Sequence, residues 1–181
     1  MKKVILLFLT SLFLLSCADN NRFNKENIIP TPKEFTIQDN KLYPIKEVVN
    51  SEKRDNLKFP HNNDEYYLKS SKGHVVIEGN EIWAKQTLSQ LTNESGCIPD
   101  VEIHDWSAYP IRGFMHDTGR NYQTLEMLKE TIDLMSLYKI NYFHWHLTDY
   151  PAWRIECKIF PQLNDAQYQR PGRDCGKFYT Y

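Results

Sequence analysis

The sequence predicts an α/β fold, in which a small α+β domain precedes a unit of two parallel strands joined by a helix. Residues 66–104 carry the signals of a hairpin, a helix and a further strand. Residues 111–149 carry strand, helix and strand signals in that order. Two strands that are joined by a helical crossover pair in parallel, so the second segment should form a βαβ unit.

The composition argues against a nucleic-acid partner. The formal net charge is −1, and the 22 Lys and Arg residues are not gathered into clusters. Binding to nucleic acid requires a basic patch or stripe. We therefore expect no nucleic-acid partner.

The first residues, 1–17, are predicted to be an export signal of the lipoprotein type. Lys2 and Lys3 precede an apolar run over residues 4–15, which is too short to span a bilayer as a helix. Cys17 lies where cleavage after small residues is expected, and the segment resembles a bacterial lipoprotein signal, in which this cysteine is lipidated. The resemblance implies an exported protein anchored to a bacterial membrane through Cys17, on the periplasmic side or at the cell surface. An ordinary secretory signal with a chance cysteine is the alternative.

Residues 28–109 are expected to form the small α+β domain. A Ser-Lys-Gly turn between two β-branched or aromatic runs is a hairpin signal, and a later segment has apolar residues at helical spacing. The elements are expected at residues 66–68, 74–78, 81–91 and 101–104. Pro110 disfavours a continuing central strand and therefore marks the boundary of the domain.

The βαβ unit is predicted over residues 111–149. Its helix, at 124–138, has apolar residues at helical spacing and Thr124 as N-cap. The second strand, at 140–149, has no Gly or Pro and is rich in aromatic residues, which is typical of a buried strand. Its alternating pattern predicts one polar, His-rich face, and Asp149 is expected where this strand ends.

Several ordered motifs in this part of the chain resemble glycoside hydrolase family 20, the β-N-acetylhexosaminidases. Among them are the stretch from Pro110 to Arg120 and His144-Trp-His-Leu-Thr-Asp149. The matching stretches are residues 110–120, 134–141, 144–149, 153–156, 160–163 and 176–180. The resemblance implies that residues 110–181 begin a TIM (β/α)8 catalytic barrel. Because such a barrel needs about 250 residues, the chain should hold its first two or so βα units and is expected to be truncated.

The resemblance also implies a reaction. Enzymes of this family remove a terminal N-acetylhexosamine from glycans by a retaining, substrate-assisted mechanism, in which the 2-acetamido oxygen of the sugar attacks the anomeric carbon. An adjacent Asp-Glu pair on a later strand orients this amide and protonates the leaving oxygen, and nothing in the chain corresponds to it. The chain alone is therefore expected to be inactive. Its own pair, Asp64-Glu65, precedes the barrel and is expected in a solvated turn. No metal and no cofactor are implied.

Two residues are implied to bind the sugar. Arg112 matches an arginine that hydrogen-bonds sugar hydroxyls, and its planar fork of donors suits vicinal hydroxyls. Asp149 matches the first acid of the family's Leu-Thr-Asp-Asp, although Tyr150 replaces the second acid here. The alternatives are a structural salt bridge for Arg112, for example with Asp117, and a capping role for Asp149.

Two further residues are expected to support the site. His146 and Asp117 are assigned to the network that holds Asp149. Arg120, like Asp117, is interpreted as structural in the first place.

A metal-dependent barrel hydrolase is the rival enzyme hypothesis. His144 and His146 lie on one strand face, with His116 or Asp117 on the adjacent strand, and such residues are common metal ligands. A surface lipoprotein that binds glycans without catalysis is the third hypothesis. The tryptophans that could stack on sugar rings are Trp106, Trp145 and Trp153, of which Trp145 is expected in the core.

Three cysteines remain after the leader: Cys97, Cys157 and Cys175. In an exported protein they could form one disulfide, in three pairings, and isolated buried thiols are the default interpretation. The chain has no Cys-x-x-Cys, which disfavours a structural zinc site.

Overall fold

The computed structural model describes residues 23–59, 63–172 and 174–181. These residues form a five-stranded sheet with one helix, followed by a strand, helix and strand and by a short hairpin. The strands are β1 Glu34–Pro44, β2 Glu47–Asn50, β3 Tyr66–Ser71, β4 His74–Gly79, β5 Cys97–Asp105, β6 Gly113–Asp117, β7 Tyr142–His146, β8 Thr148–Asp149 and β9 Ala152–Trp153. The α-helices are α1 Glu81–Leu91 and α2 Leu125–Leu137, and three-residue or four-residue 3₁₀ helices lie at Lys25–Asn27, Pro161–Asn164 and Ala166–Tyr168.

The first sheet has the strand order β1-β5-β3-β4-β2, in which only β2 and β4 pair in parallel. The predicted hairpin is confirmed as β3 and β4, and the predicted helix is confirmed as α1. Lys72 and Gly73 at the hairpin turn both have positive φ, as a two-residue turn of this kind requires. A Cβ atom at Gly73 would lie 2.0 Å from the carbonyl oxygen of Pro44, so the turn accepts only glycine at this position.

The core of this part lies between α1 and the sheet. Helix α1 begins at Asn80, whose side chain accepts a hydrogen bond from the backbone N–H of Trp83 at 2.9 Å. Its buried face packs on inward-facing residues of the central strands. The fully buried members of this core include Ile28, Leu68, Val75, Ile77, Ala84, Leu91, Ile98, Val101 and Ile103.

The βαβ unit is confirmed. Strands β6 and β7 pair in parallel from Gly113 opposite Tyr142 to Asp117 opposite His146. Thr124 caps α2 as predicted, since its side chain accepts from the backbone N–H of Met127 at 3.3 Å.

Helix α2 ends in a Schellman motif that is closed by an unusual residue. The N–H of Lys139 donates to the Ser136 carbonyl at 3.0 Å, and the N–H of Ile140 donates to the Met135 carbonyl at 2.9 Å. Lys139 has a φ of 57°, in a position that favours glycine. Its side chain explains the choice, because the ammonium reaches back to Asp105 and Tyr66 in the first sheet, at 2.9 Å from each.

Two expectations about the second strand are wrong. The strand ends at His146 and not at residue 149, because the chain turns at Leu147, whose carbonyl accepts from the N–H of Arg154 at 2.9 Å. Asp149 lies instead in β8, in the short antiparallel hairpin with β9. The strand is also not buried: Tyr142 is 60% exposed, because β6 and β7 form a sheet of only two strands within the described residues.

Within the parts of the chain that the structure describes, no helix has the length and apolar character needed to cross a membrane.

Candidate functional site

Four ionisable side chains meet at the carboxyl end of the parallel strand pair. Asp117 and His146 are the last residues of β6 and β7 and lie opposite each other. Arg120 follows β6 by three residues, and Asp149 follows β7 by the same interval. We call these four residues the carboxyl-end cluster. Ligand sites in parallel α/β folds lie at this end of the strands.

The guanidinium of Arg120 bridges the two carboxylates of the cluster. Its Nη1 donates to Asp117 Oδ2, and its Nη2 lies 3.0 Å from Asp149 Oδ2. The backbone N–H of Arg120 also donates to Asp117 Oδ1 at 3.0 Å. His146 Nε2 lies 3.3 Å from Asp149 Oδ2, the same oxygen that Arg120 contacts.

Both carboxylates of the cluster are held ionised. The backbone N–H of Tyr150 and the side chain of His146 lower the pKa of Asp149, and the charge of Arg120 adds to the effect. Burial alone would raise the pKa of Asp117, but the hydrogen bonds from Arg120 outweigh it and the pKa lies below its ordinary value. The cluster therefore presents one cation between two anions at neutral pH.

The loop that carries Arg120 is fixed by backbone contacts. The N–H groups of Thr118 and Gly119 both donate to the carbonyl of His146, at 3.0 and 3.2 Å. A Cβ atom at Gly119 would lie 3.2 Å from Asp117 Oδ1 and 3.5 Å from the Cβ of Asp149. A side chain at position 119 would therefore press on the Asp117 carboxylate and lie in ordinary van der Waals contact with Asp149.

Arg154 ties this loop to the end of the chain. It is 1% exposed, and its Nε donates to the carbonyl of Thr118 at 3.1 Å. Its Nη1 donates to Gln169 Oε1 and to the carbonyls of Asp174 and Lys177, at 3.1, 2.7 and 2.8 Å. Burial lowers the pKa of Arg154, but the charge remains, since an arginine titrates far above neutral pH.

The structure places the predicted sugar-binding arginine, Arg112, at the opposite end of β6. Its Nη1 donates to Asp64 Oδ2 at 2.8 Å and to the Tyr109 carbonyl at 2.6 Å, and its Nε donates to the Lys139 carbonyl at 2.7 Å. The structural ion pair that the sequence left open is therefore present, with Asp64 as partner in place of Asp117. The sugar contact of Arg112 stays a prediction, and its placement does not support that contact.

Sequence reasoning did not select Arg120 for the site. The residue belongs to the Asp-Thr-Gly-Arg stretch, and both it and Asp117 were interpreted as structural. The available signal was position: Arg120 comes after the strand that it follows, whereas Arg112 precedes that strand. Barrel sites lie after the strands.

Part of the residue set that the rival metal hypothesis names does come together in the structure. Ligand atoms of Asp117, His146 and Asp149 lie within 4.8 Å of one another. His116 is not among them, because it lies opposite Trp145, on the other face of the strand pair from His146. The guanidinium of Arg120 already bridges both carboxylates, and this geometry favours a hydrogen-bonding site over a metal site.

The tryptophans occupy different environments. Trp145 donates from Nε1 to the hydroxyl of Thr118 at 3.0 Å and packs against Tyr179, but it is half-buried and does not lie in the core as expected. Trp153 is 37% exposed on β9. Trp106 packs against Phe59, with ring centroids 5.4 Å apart.

The expectation of a solvated turn at Asp64-Glu65 is wrong. Glu65 is 1% exposed and accepts from the N–H groups of Lys58 and Phe59 at 2.6 and 2.7 Å. Its Oε1 also lies 2.6 Å from His104 Nε2. The carboxylate of Glu65 thus holds the segment before the hairpin, and it is not available as an acid for a substrate.

The predicted cysteine roles are tested in part. Cys157 and Cys175 are free thiols, so none of the three disulfide pairings is formed. Cys175 is exposed, contrary to the expectation of a buried thiol. Cys17 lies outside the described residues.

Comparison with known proteins identifies relatives of this chain. A family model described as "Glycosyl hydrolase family 20, catalytic domain" matches residues 109–181. A β-hexosaminidase of Porphyromonas gingivalis is 40% identical over 132 residues, which are 64% of this chain and 17% of the relative. The chain thus spans less than a fifth of that protein.

Solved structures give the same assignment. A β-N-acetylhexosaminidase from Bacteroides fragilis is 26% identical with a TM-score of 0.69, over 85% of this chain and 40% of that one. An exo-β-N-acetylglucosaminidase from Vibrio harveyi, in complex with N-acetylglucosamine, is 25% identical with a TM-score of 0.71, over 87% of this chain and 33% of that one. Together with the parallel β6–α2–β7 unit, these matches support the assignment of residues 109–181 as a fragment of a glycosyl hydrolase family 20 catalytic domain.

Proposed function

We propose that this chain supplies the first part of a β-N-acetylhexosaminidase and, with it, one wall of the pocket for the terminal sugar. The observation that carries the proposal is the carboxyl-end cluster, in which Arg120 bridges Asp117 and Asp149 at the end of the strands where barrel sites lie. The matching relatives are named for action on N-acetylhexosamine.

The cluster is suited to bind sugar hydroxyls. A guanidinium carries five N–H donors, and the bridge to the two carboxylates uses one hydrogen on each Nη. The side chain of Arg120 is 56% exposed, which leaves it accessible to a ligand. The carboxylate of Asp149 is 33% exposed and offers acceptor oxygens beside the arginine. A pair of vicinal hydroxyls can donate to the acid and accept from the arginine at once.

In the proposed reaction the residues of this chain bind and orient the substrate. The 2-acetamido oxygen of the substrate attacks the anomeric carbon, and the bond to the leaving oxygen breaks as that oxygen gains a proton. Arg120 and Asp149 hold the ring through its hydroxyls, so that the anomeric carbon stays in place during attack. Fixing the geometry of reacting groups lowers the barrier by making the step effectively unimolecular.

The proposal is tested in a chimera. Residues 109–181 replace the corresponding segment of the Porphyromonas gingivalis β-hexosaminidase, and the chimera is offered a chromogenic N-acetylglucosaminide. We expect turnover above that of the same enzyme with the segment deleted. A folded chimera without turnover, judged by circular dichroism and a cooperative melt, would contradict the proposal.

The purified chain alone is expected not to hydrolyse the same substrate. Its Asp64-Glu65 pair is engaged in structural contacts with Arg112 and His104, which removes the nearest candidate for a general acid. General acid catalysis is worth about a hundred- to ten-thousandfold in rate. Turnover above the blank that disappears in the Asp64→Ala, Glu65→Ala double variant would show that this expectation is wrong.

We further propose export and lipid anchoring through Cys17, on the order of charged, apolar and cysteine residues in the leader. Replacement of Cys17 by Ala should release the protein from the membrane fraction or block its processing. Fractionation and electrophoretic mobility identical to the wild type would rule the anchor out.

A further inference from the structure

A half-enclosed cavity of about 220 Å³ lies at the amino end of β6, between the first sheet and the turn after α2. We call it the seam cavity. Its walls combine ionic side chains with aromatic rings. The lining residues that matter here are Lys33, Asp64, Trp83, Asp105, Trp106, Tyr109, Arg112 and Lys139.

The first carboxylate in the cavity, Asp105, is already engaged by protein donors. Its Oδ1 accepts from the backbone N–H of Lys33 at 3.1 Å. Its Oδ2 accepts from the hydroxyl of Tyr66 at 3.1 Å and from Lys139 Nζ at 2.9 Å. Asp105 therefore has little acceptor capacity left for a ligand.

The second carboxylate, Asp64, is engaged in the same way. Its Oδ1 accepts from Trp83 Nε1 at 3.1 Å, and its Oδ2 accepts from Ser107 at 2.6 Å and from Arg112 Nη1 at 2.8 Å. Burial alone would raise the pKa of Asp64, but these hydrogen bonds outweigh it and the pKa is lowered. Both anions of the cavity are thus committed to protein groups.

The cations are not fully used. An ammonium has three N–H donors, and Lys139 Nζ meets two acceptors, Tyr66 and Asp105, among the residues that the structure describes. Lys139 is only 7% exposed, so bulk water does not readily solvate the third N–H of its ammonium. The described bonds of Arg112 use its Nε and Nη1, which leaves Nη2 as a second donor beside the cavity.

Charge and shape then define the ligand. Three cationic residues, Lys33, Lys139 and Arg112, and two anionic ones line the cavity, which gives its lining one net positive charge. The indole of Trp106 and the ring of Tyr109, which is 71% exposed at the rim, offer flat apolar walls. We propose that the seam cavity binds a monocarboxylate carried on a ring, with the carboxylate on Lys139 and Arg112 and the ring against the two aromatic side chains.

Two sources offer this chemistry: the uronic acid residue of an acidic glycan, and a free aromatic acid. The full chain, purified in detergent, is titrated with glucuronate and with benzoate, and binding is read from the fluorescence of Trp83 and Trp106, which line the cavity. Glucose and benzyl alcohol are the matched neutral compounds. We expect saturable binding of at least one acid and at least tenfold weaker binding of its neutral counterpart. Binding of glucuronate alone would identify the glycan source, and binding of benzoate alone would identify the free acid.

Variants locate the binding. Arg112→Gln should weaken the acid at least about tenfold, because it removes one charged donor. Tyr109→Ala, at an exposed position, should weaken it without loss of the fold, and Tyr168→Ala, 64% exposed and outside the lining of the cavity, is the matched control that should change nothing. Failure of both acids to bind at millimolar concentration, equal binding of the neutral compounds, or an unchanged affinity in Arg112→Gln would overturn the inference.

Discussion

Replacement of Arg120 by Ala in the active chimera should lower kcat/KM by about ten- to a hundredfold. The loss of a hydrogen bond from a charged donor costs roughly 1.5–3 kcal/mol, and kcat/KM reports that loss in the transition state. The variant also leaves the carboxylates of Asp117 and Asp149 without the cation that bridges them. Steady-state kinetics with a chromogenic N-acetylglucosaminide measures the effect.

Two companion variants separate the chemistry of Arg120 from its charge. Lysine at position 120 keeps the charge but cannot bridge two carboxylates with a planar fork. Arg120→Lys should therefore also lose most of the kcat/KM that Arg120→Ala loses. Lys129→Ala, on the exposed side of α2, is the control for the loss of a cation elsewhere in the transferred segment of the chimera. Wild-type kinetics in Arg120→Ala would remove the residue from the site.

Replacement of Asp105 by Asn should destabilise the full chain by about 3–5 kcal/mol, because it leaves the ammonium of Lys139 buried without its anion. Lys139 is 7% exposed, and burial lowers its pKa, which the neighbouring Asp105 partly offsets. Urea denaturation followed by circular dichroism gives the free energy of unfolding. Glu81→Gln, which breaks the exposed pair with Lys85, is the matched control and should cost under about 0.5 kcal/mol.

A double variant tests whether the pair itself is responsible. Asp105→Leu combined with Lys139→Met removes both charges, and apolar replacements of buried ion pairs are often neutral in stability. The double variant should therefore be more stable than Asp105→Asn alone. If Asp105→Asn costs no more than Glu81→Gln, the buried pair does not hold the first sheet and the βαβ unit together.

The parts of the fold that depend on local patterns were predictable. Helix α1, the β3–β4 hairpin and the β6–α2–β7 unit all follow from periodicity and capping within one segment. Strand β1 was missed because its pairing with β5 has irregular register around Asp39, and β2 was missed because it is short, exposed and paired in parallel with β4. Such long-range pairings leave little local signal.

The candidate site was predictable in residue type but not in position. Motifs identified Asp149 and His146, yet the end of β7 at His146 depends on the contact of Leu147 with Arg154, which no local pattern reveals. Arg112 precedes strand β6 and Arg120 follows it, and only the structure shows that Arg120 joins the two acids. Glu65 was misjudged because its partner, His104, lies 39 residues away.

The most direct test of the proposed sugar site is a crystal structure of the active chimera with N-acetylglucosamine bound. We expect hydroxyl oxygens of the sugar within about 3 Å of Arg120 Nη atoms and of the Asp149 carboxylate. A sugar whose hydroxyls are held by Arg112, with Arg120 bound only to Asp117 and Asp149, would contradict this expectation.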